Sequence, residues 1–244
     1  MPVDFELYEE VSGKIFAAAR EFSNTVEVAS IDECFLDFSV FDRSDRKLLL
    51  ELGKTLQQKI DADIGVPVSI GIAETKTLAK MASDAGKPHG VLAVMPEDRE
   101  KFLQSLPIQS VPGIGKKQTP KMHFRNILTP HDYTMIDLPT IRTLFHRPGA
   151  ELWWELCGTQ MFPVRSGRPS PKSIQRTRSF EDPTMDMQQV WNSYVVHTQR
   201  IIKSLEEEGL MAKRILLYFR EKTFETHWFE TVLHQHTLSY STVI

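Results

Sequence analysis

Two adjacent carboxylates stand in the run Ser30-Ile31-Asp32-Glu33, between the strand-like stretches Val26-Glu27-Val28-Ala29 and Cys34-Phe35-Leu36-Asp37-Phe38. Neighbours on a regular strand face opposite ways, so adjacent acids can share a ligand only where the chain turns, as at a hairpin tip. There the pair suits Mg²⁺, a hard ion that takes oxygen ligands together with substrate phosphates. A solvated acidic turn would carry the same two residues. A second group is Lys87-Pro88-His89-Gly90, which closes a helix bearing Lys76 and Lys80. Lysine beside such a turn reaches a phosphate as a flexible point charge, and it also suits a plain helix C-terminus.

A third group is Pro112-Gly113-Ile114-Gly115-Lys116-Lys117. Glycines in a helix-to-helix turn expose backbone N–H groups that bind anions, and this is how a helix-hairpin-helix grips a DNA backbone without reading bases. A tight connection between two helices needs the same glycines. The fourth group is basic: Arg165, Arg168, Lys172, Arg176 and Arg178 lie within residues 164–179 with no acid among them. Alternation predicts Arg176 and Arg178 on one face of a strand, either against phosphates or guarding a sheet edge.

The elements that must position these groups follow from periodicity. Leu7, Val11, Ile15, Ala18 and Phe22 predict a first helix, and Leu48, Leu52, Leu56 and Ile60 a second. Val68–Ile72 alternates as a buried strand does, and a third helix runs from about Thr75 to Ser83. From Pro96 short helices alternate with turn residues, with Asn126 placed for a left-handed cap and Pro148-Gly149 for a break. Residues 162–171 read as a linker. After them come strand, helix, strand, strand, the helix marked by Val190, Tyr194, Thr198, Ile201 and Leu205.

Composition narrows the class. The 244 residues are 41% hydrophobic and 25% charged, an ordinary globular mixture. Two cysteines make no disulfide framework, which points to a reducing, cytoplasmic compartment. No apolar run nears the ~18–20 residues that span a bilayer, and the start lacks a signal peptide's pattern. The net charge of -3 is uneven. Residues 1–98 hold 10 Lys/Arg and 18 Asp/Glu (-8), residues 99–163 hold 8 and 5 (+3), and residues 164–244 hold 11 and 9 (+2). An acidic front and a basic rear fit a chain that gathers cations in one place and touches phosphates in another.

In order and spacing these pieces resemble the Y-family translesion DNA polymerases. The similarity rests on Pro2–Tyr8, Ala29–Asp37, Gly71-Ile72-Ala73, Leu78–Ser83, Lys87–Gly90 and Val111–Gly115, over roughly residues 2–130 and more loosely beyond. It implies an α+β chain with a partial palm (1–98), an all-helical thumb with a helix-hairpin-helix (99–163), and a linker with a partial α/β little finger (164–244). It implies that Asp32 and Glu33 hold catalytic Mg²⁺ in a two-metal site and that Lys87 contacts an incoming deoxynucleoside triphosphate. Gly113, Gly115, Lys116, Lys117 and the five basic residues from Arg165 to Arg178 would follow primer–template DNA, damaged bases included. A nucleoid-associated monomer with a sliding clamp as partner completes the expectation.

The resemblance also has departures. Glu74 and Thr75 stand where Ser and Asn are common, and Pro120 comes early in a thumb helix. In the family a first palm strand, a further metal-binding aspartate and the fingers precede the stretch matched by Met1, and the little finger adds a helix and a strand. This predicts an incomplete form with little activity alone. The rival reading is a non-catalytic DNA-binding relative that keeps the fold.

Overall fold

A computed structural model describes residues 4–167 and 170–237, with the backbone alone for Phe5, Glu6 and 235–237. The chain divides into two units, residues 1–168 and 169–244.

The first unit opens with α1 (Phe5–Arg20), whose N-cap Asp4 accepts the Leu7 N–H at 3.1 Å. Strands β1 (Val26–Val28) and β2 (Cys34–Leu36) pair antiparallel, with Val28 opposite Cys34. Helix α2 (Arg46–Ile64) starts on Asp45 and ends at Gly65, which takes a φ of 76° that glycine reaches without strain. Next come β3 (Ile70–Ile72), α3 (Lys76–Ala85) and β4 (Val91–Ala93). Strands β3 and β4 pair in parallel, which requires a crossover, and α3 supplies it. The helix lies directly on the strand: a Cβ at Gly71 would stand 2.0 Å from the Ala79 carbonyl oxygen and 2.3 Å from the Ser83 nitrogen.

Among the described residues this unit has two separate two-stranded sheets. Side chains rather than ladder hydrogen bonds join them. Leu36 of β2 and Ile70 of β3 both pack on the cluster of Ala18, Leu56 and Ile60 from α1 and α2.

Helices α4 (Arg99–Ser105), α5 (Thr119–His123), α6 (Pro130–Thr134) and α7 (Leu138–Leu156) complete the unit. Their core, with Leu103, Ile108, Val111, Tyr133, Ile141 and Leu156, includes Leu78 and Met81 of α3. Fully burying side chains of that size is worth about 1.5–3 kcal/mol each. One face of α3 is thus anchored in the helical region, which leaves its lysines free to face the hairpin. Asn126 takes the left-handed conformation the sequence predicts, with φ 58°. Pro120 sits in the first turn of α5, where its missing N–H costs nothing. The break predicted at Pro148-Gly149 falls earlier, at His146 with φ 57° and ψ -159°, and Pro148 then starts the second piece of α7.

The second unit holds α8 (Met187–Glu207), capped by Asp186, and the antiparallel pair β5 (Ala212–Arg220) and β6 (Thr226–Thr237). The strand predicted to carry Arg176 and Arg178 does not form: residues 172–180 make no ladder. Side-chain bonds tie the segment down instead. Gln175 Nε2 donates to Tyr218 Oη at 3.1 Å, and Arg176 donates to Ser204 Oγ at 2.8 Å. Without a ladder, alternation does not assign the two arginines to one face.

Candidate functional site

The carboxylate pair sits at the tip of the β1–β2 hairpin. The N–H groups of Ala29 and Ser30 both donate to the Glu33 carbonyl, at 2.9 and 3.1 Å, and close the tip. The buried Ser12 hydroxyl on α1 donates to the Ile31 carbonyl and pins the turn to the helix. Asp32 is exposed, and the Ser30 hydroxyl donates to its Oδ1 at 2.5 Å.

Glu33 is reached from α3. Lys80 Nζ lies 2.5 Å from Glu33 Oε1 and 3.2 Å from Asp84 Oδ1, and Lys87 Nζ lies 2.7 Å from that same Asp84 oxygen. The acidic tip and the Lys87 turn, 54 residues apart in sequence, are therefore joined by a chain of alternating charge: Glu33, Lys80, Asp84, Lys87. Sequence reasoning found the two ends and Lys80 but missed Asp84. Its signal was present, four residues after Lys80 and three before Lys87, where helical side chains meet.

Charge pairing sets the protonation states. Burial alone would lower the Lys80 pKa, but the hydrogen bonds it donates to Glu33 and Asp84 outweigh it and hold the ammonium above the ordinary lysine range. Burial likewise opposes the Asp84 carboxylate, and its bonds from Lys87 and Lys80 win, holding its pKa below the usual range. One turn earlier Lys76 reaches Glu27 of β1 at 2.6 Å. The other Glu27 oxygen accepts the Arg165 backbone N–H at 2.8 Å, which fixes the linker beside the hairpin. The Cys34 thiol, next to Glu33, is pushed up to about 11 by burial against a weaker opposing pull from Arg20. It stays protonated at neutral pH, so the donors at the tip are hard oxygens.

In the helical region Gly113 takes φ 89°, and a Cβ at Gly113 or Gly115 would meet open space. The turn is exposed apart from the buried Ile114, whose N–H is spent on the Val111 carbonyl at 3.0 Å. The N–H groups of Gly115, Lys116 and Lys117 have no partner among the described residues. Arg165, Lys172, Arg176 and Arg178 are exposed, and Arg168 lies outside the described residues. Among the described residues a group of three metal-ligating side chains occurs on the β5–β6 turn, where Glu221, Glu225 and His227 bring ligand atoms within 4.8 Å of one another. All three are exposed.

Three family profiles match the chain in order. The impB/mucB/samB family covers residues 1–84, the IMS family HHH motif residues 96–127, and the impB/mucB/samB C-terminal domain residues 171–243. DNA polymerase IV of Streptococcus mutans is 30% identical over 219 residues, which are 90% of this chain and 59% of that protein. DNA polymerase IV of Methanoculleus marisnigri is 30% identical over 227 residues, 93% of this chain and 62% of that protein. The chain therefore spans about three fifths of the length of these relatives. Among solved structures, a Y-family DNA polymerase chimera of Dbh and Dpo4 superposes with a TM-score of 0.76 at 20% identity, over 98% of this chain and 68% of that one. DinB from Sulfolobus solfataricus gives 0.60 at 19% identity, over 100% of this chain and 71% of that one. At such identities the superpositions speak for the fold.

Proposed function

This chain belongs to the Y-family DNA polymerases, and from that premise we propose that it serves template-directed nucleotidyl transfer past damaged bases. The observation that carries the reading is the chain of charge from Glu33 through Lys80 and Asp84 to Lys87. It links Glu33 of the carboxylate pair, through two intervening charges, to a phosphate-seeking lysine, and phosphoryl transfer needs both kinds of group within one site.

In this reading Asp32 and Glu33 hold divalent cations of the Mg²⁺ class. Their donor set fits: two carboxylates at an open tip, beside a thiol that burial keeps protonated. When bound, such ions neutralise charge on the transferring phosphoryl group and activate the attacking primer hydroxyl. The chain's own residues do the positioning. Ser12 and the closed turn fix the height of the two carboxylates, and Lys87 receives the triphosphate of the incoming nucleotide. The Gly113–Lys117 turn grips the duplex backbone, with Arg165, Arg168, Lys172, Arg176 and Arg178 along the template. The domain reading remains palm to residue 98, thumb to 163 and little finger beyond. A cytoplasmic monomer that meets a sliding clamp fits the same function.

The test is retention of a fluorescent deoxynucleoside triphosphate on the protein–primer–template complex in Mn²⁺. Asp32→Asn with Glu33→Gln should abolish retention, and Lys87→Ala should weaken it about tenfold, as expected for one charge-assisted phosphate contact. Duplex binding with no nucleotide retention in any variant would favour the non-catalytic DNA-binding reading.

A further inference from the structure

We propose that Lys80 is a positioning residue, an ammonium that occupies Glu33 until a divalent cation takes that carboxylate, and that Asp84 is where it then goes. The inference rests on Asp32 and Glu33 being the cation site, and it adds two residues to it. Lys80 lies 2.5 Å from Glu33 and 3.2 Å from Asp84, while Asp84 also holds Lys87 at 2.7 Å. Two acids and two bases form a neutral row. Glu33 is two-fifths exposed and Lys80 one-quarter exposed, so the pair is desolvated enough to matter and open enough to break.

A doubly charged cation and an ammonium cannot share one carboxylate oxygen without strong repulsion. Lys80 has a four-carbon stem and three rotatable donors, and Asp84 stands one turn further along the same helix. Turning from Glu33 onto Asp84 keeps the ammonium paired throughout. It also draws that ammonium closer to the Asp84 oxygen, which it already shares with Lys87. Lys87 is the more exposed of the two lysines, at 61%, so it is the one released, toward solvent and an arriving phosphate. Cation binding at the hairpin and phosphate capture at the Lys87 turn are thereby coupled through Asp84.

The experiment is a Mn²⁺ titration followed by loss of the free-ion electron paramagnetic resonance signal, on the full chain, with thermal unfolding recorded for every variant. Removing the competing ammonium in Lys80→Met should tighten Mn²⁺ binding about fivefold, the factor expected from a half-exposed ion pair. Lys80→Arg should restore the wild-type affinity. Lys76→Met removes the same charge from the same helix but from Glu27, and screening should limit its effect to under about twofold. Lys80→Gln repeats the measurement if the methionine variant folds poorly. An unchanged affinity in the neutral Lys80 variants, or an equal gain in Lys76→Met, would overturn the proposal. Glu33→Gln separates the two readings. If it binds Mn²⁺ as wild type does, the cation site itself is wrong. If it binds weakly while Lys80→Met matches wild type, only the role of Lys80 falls.

Discussion

The Glu155 carboxylate accepts the backbone N–H of Thr77 at 3.1 Å, so the end of α7 is bonded to the first turn of α3 across 78 residues of sequence. The other Glu155 oxygen takes the N–H groups of Met161 and Phe162 at 2.6 and 3.0 Å. Glu155 is fully buried, and its own carbonyl accepts the Thr75 hydroxyl at 3.0 Å. A charge in that position is tolerable because three backbone donors replace its water. Glu155→Ala would leave the buried Thr77 N–H unmet and take the acceptor from the more exposed Met161 and Phe162 N–H groups, and should cost about 2–3 kcal/mol of stability, read as a lower urea midpoint. Glu155→Gln keeps an acceptor and should cost about 1 kcal/mol. Equal losses in the two variants would mean that packing, and not the carboxylate, holds the joint.

The Cys34 thiol, pushed up to about 11, should be a slow nucleophile. At pH 8 its alkylation by iodoacetamide should run on the order of a hundredfold slower than free cysteine, because thiolate is the reactive form. Peptide mapping after timed quenching separates it from Cys157. A rate at Cys34 near that of free cysteine would show an open hairpin.

His197 on α8 is held below the ordinary histidine range, first by burial and then by the positive charges of Arg200 and Arg178. The folded chain therefore keeps it neutral where the unfolded chain still takes up a proton. Its contribution to stability is whole above the ordinary histidine pKa and is lost as pH falls below it. Arg178→Ala should move the His197 titration midpoint upward in NMR-detected titrations. No movement would place the Arg178 guanidinium away from α8.

Duplex binding should be sequence-neutral and salt-sensitive. Arg176 and Arg178 each neutralise about one phosphate in this reading, so replacing both by Ala should lower the slope of log K against log salt by about 2. Fluorescence anisotropy over a salt series measures it. Identical slopes would leave the Gly113–Lys117 turn as the remaining contact surface.

How much of this was legible beforehand depended on the range of the forces. Helices α1 and α2 were readable because their apolar residues recur at the period of one buried face, and the Asn126 cap because few residues accept a positive φ. The acidic tip was readable from its flanking strand-like runs. The strand at 172–180 was misread because alternation says that a segment can extend, and nothing about whether an edge is there to receive it. Asp84 left only a spacing that any salt-bridged helix would share. Glu155 left none: its partners are backbone amides on two distant segments, and no side-chain pattern encodes those.

The close contact at Gly71 has a consequence for design. The distance between β3 and α3 is set where a side chain is missing, by backbone resting on backbone at Ala79 and Ser83. Alanine there would have to lift the helix bodily, and every lysine on it would travel with the lift. The reach of Lys80 to the hairpin is thus gauged by a neutral spacer of zero length. Engineering that tunes the charges while leaving position 71 alone adjusts the strength of the site, and engineering at position 71 would detune its geometry with all its charges intact.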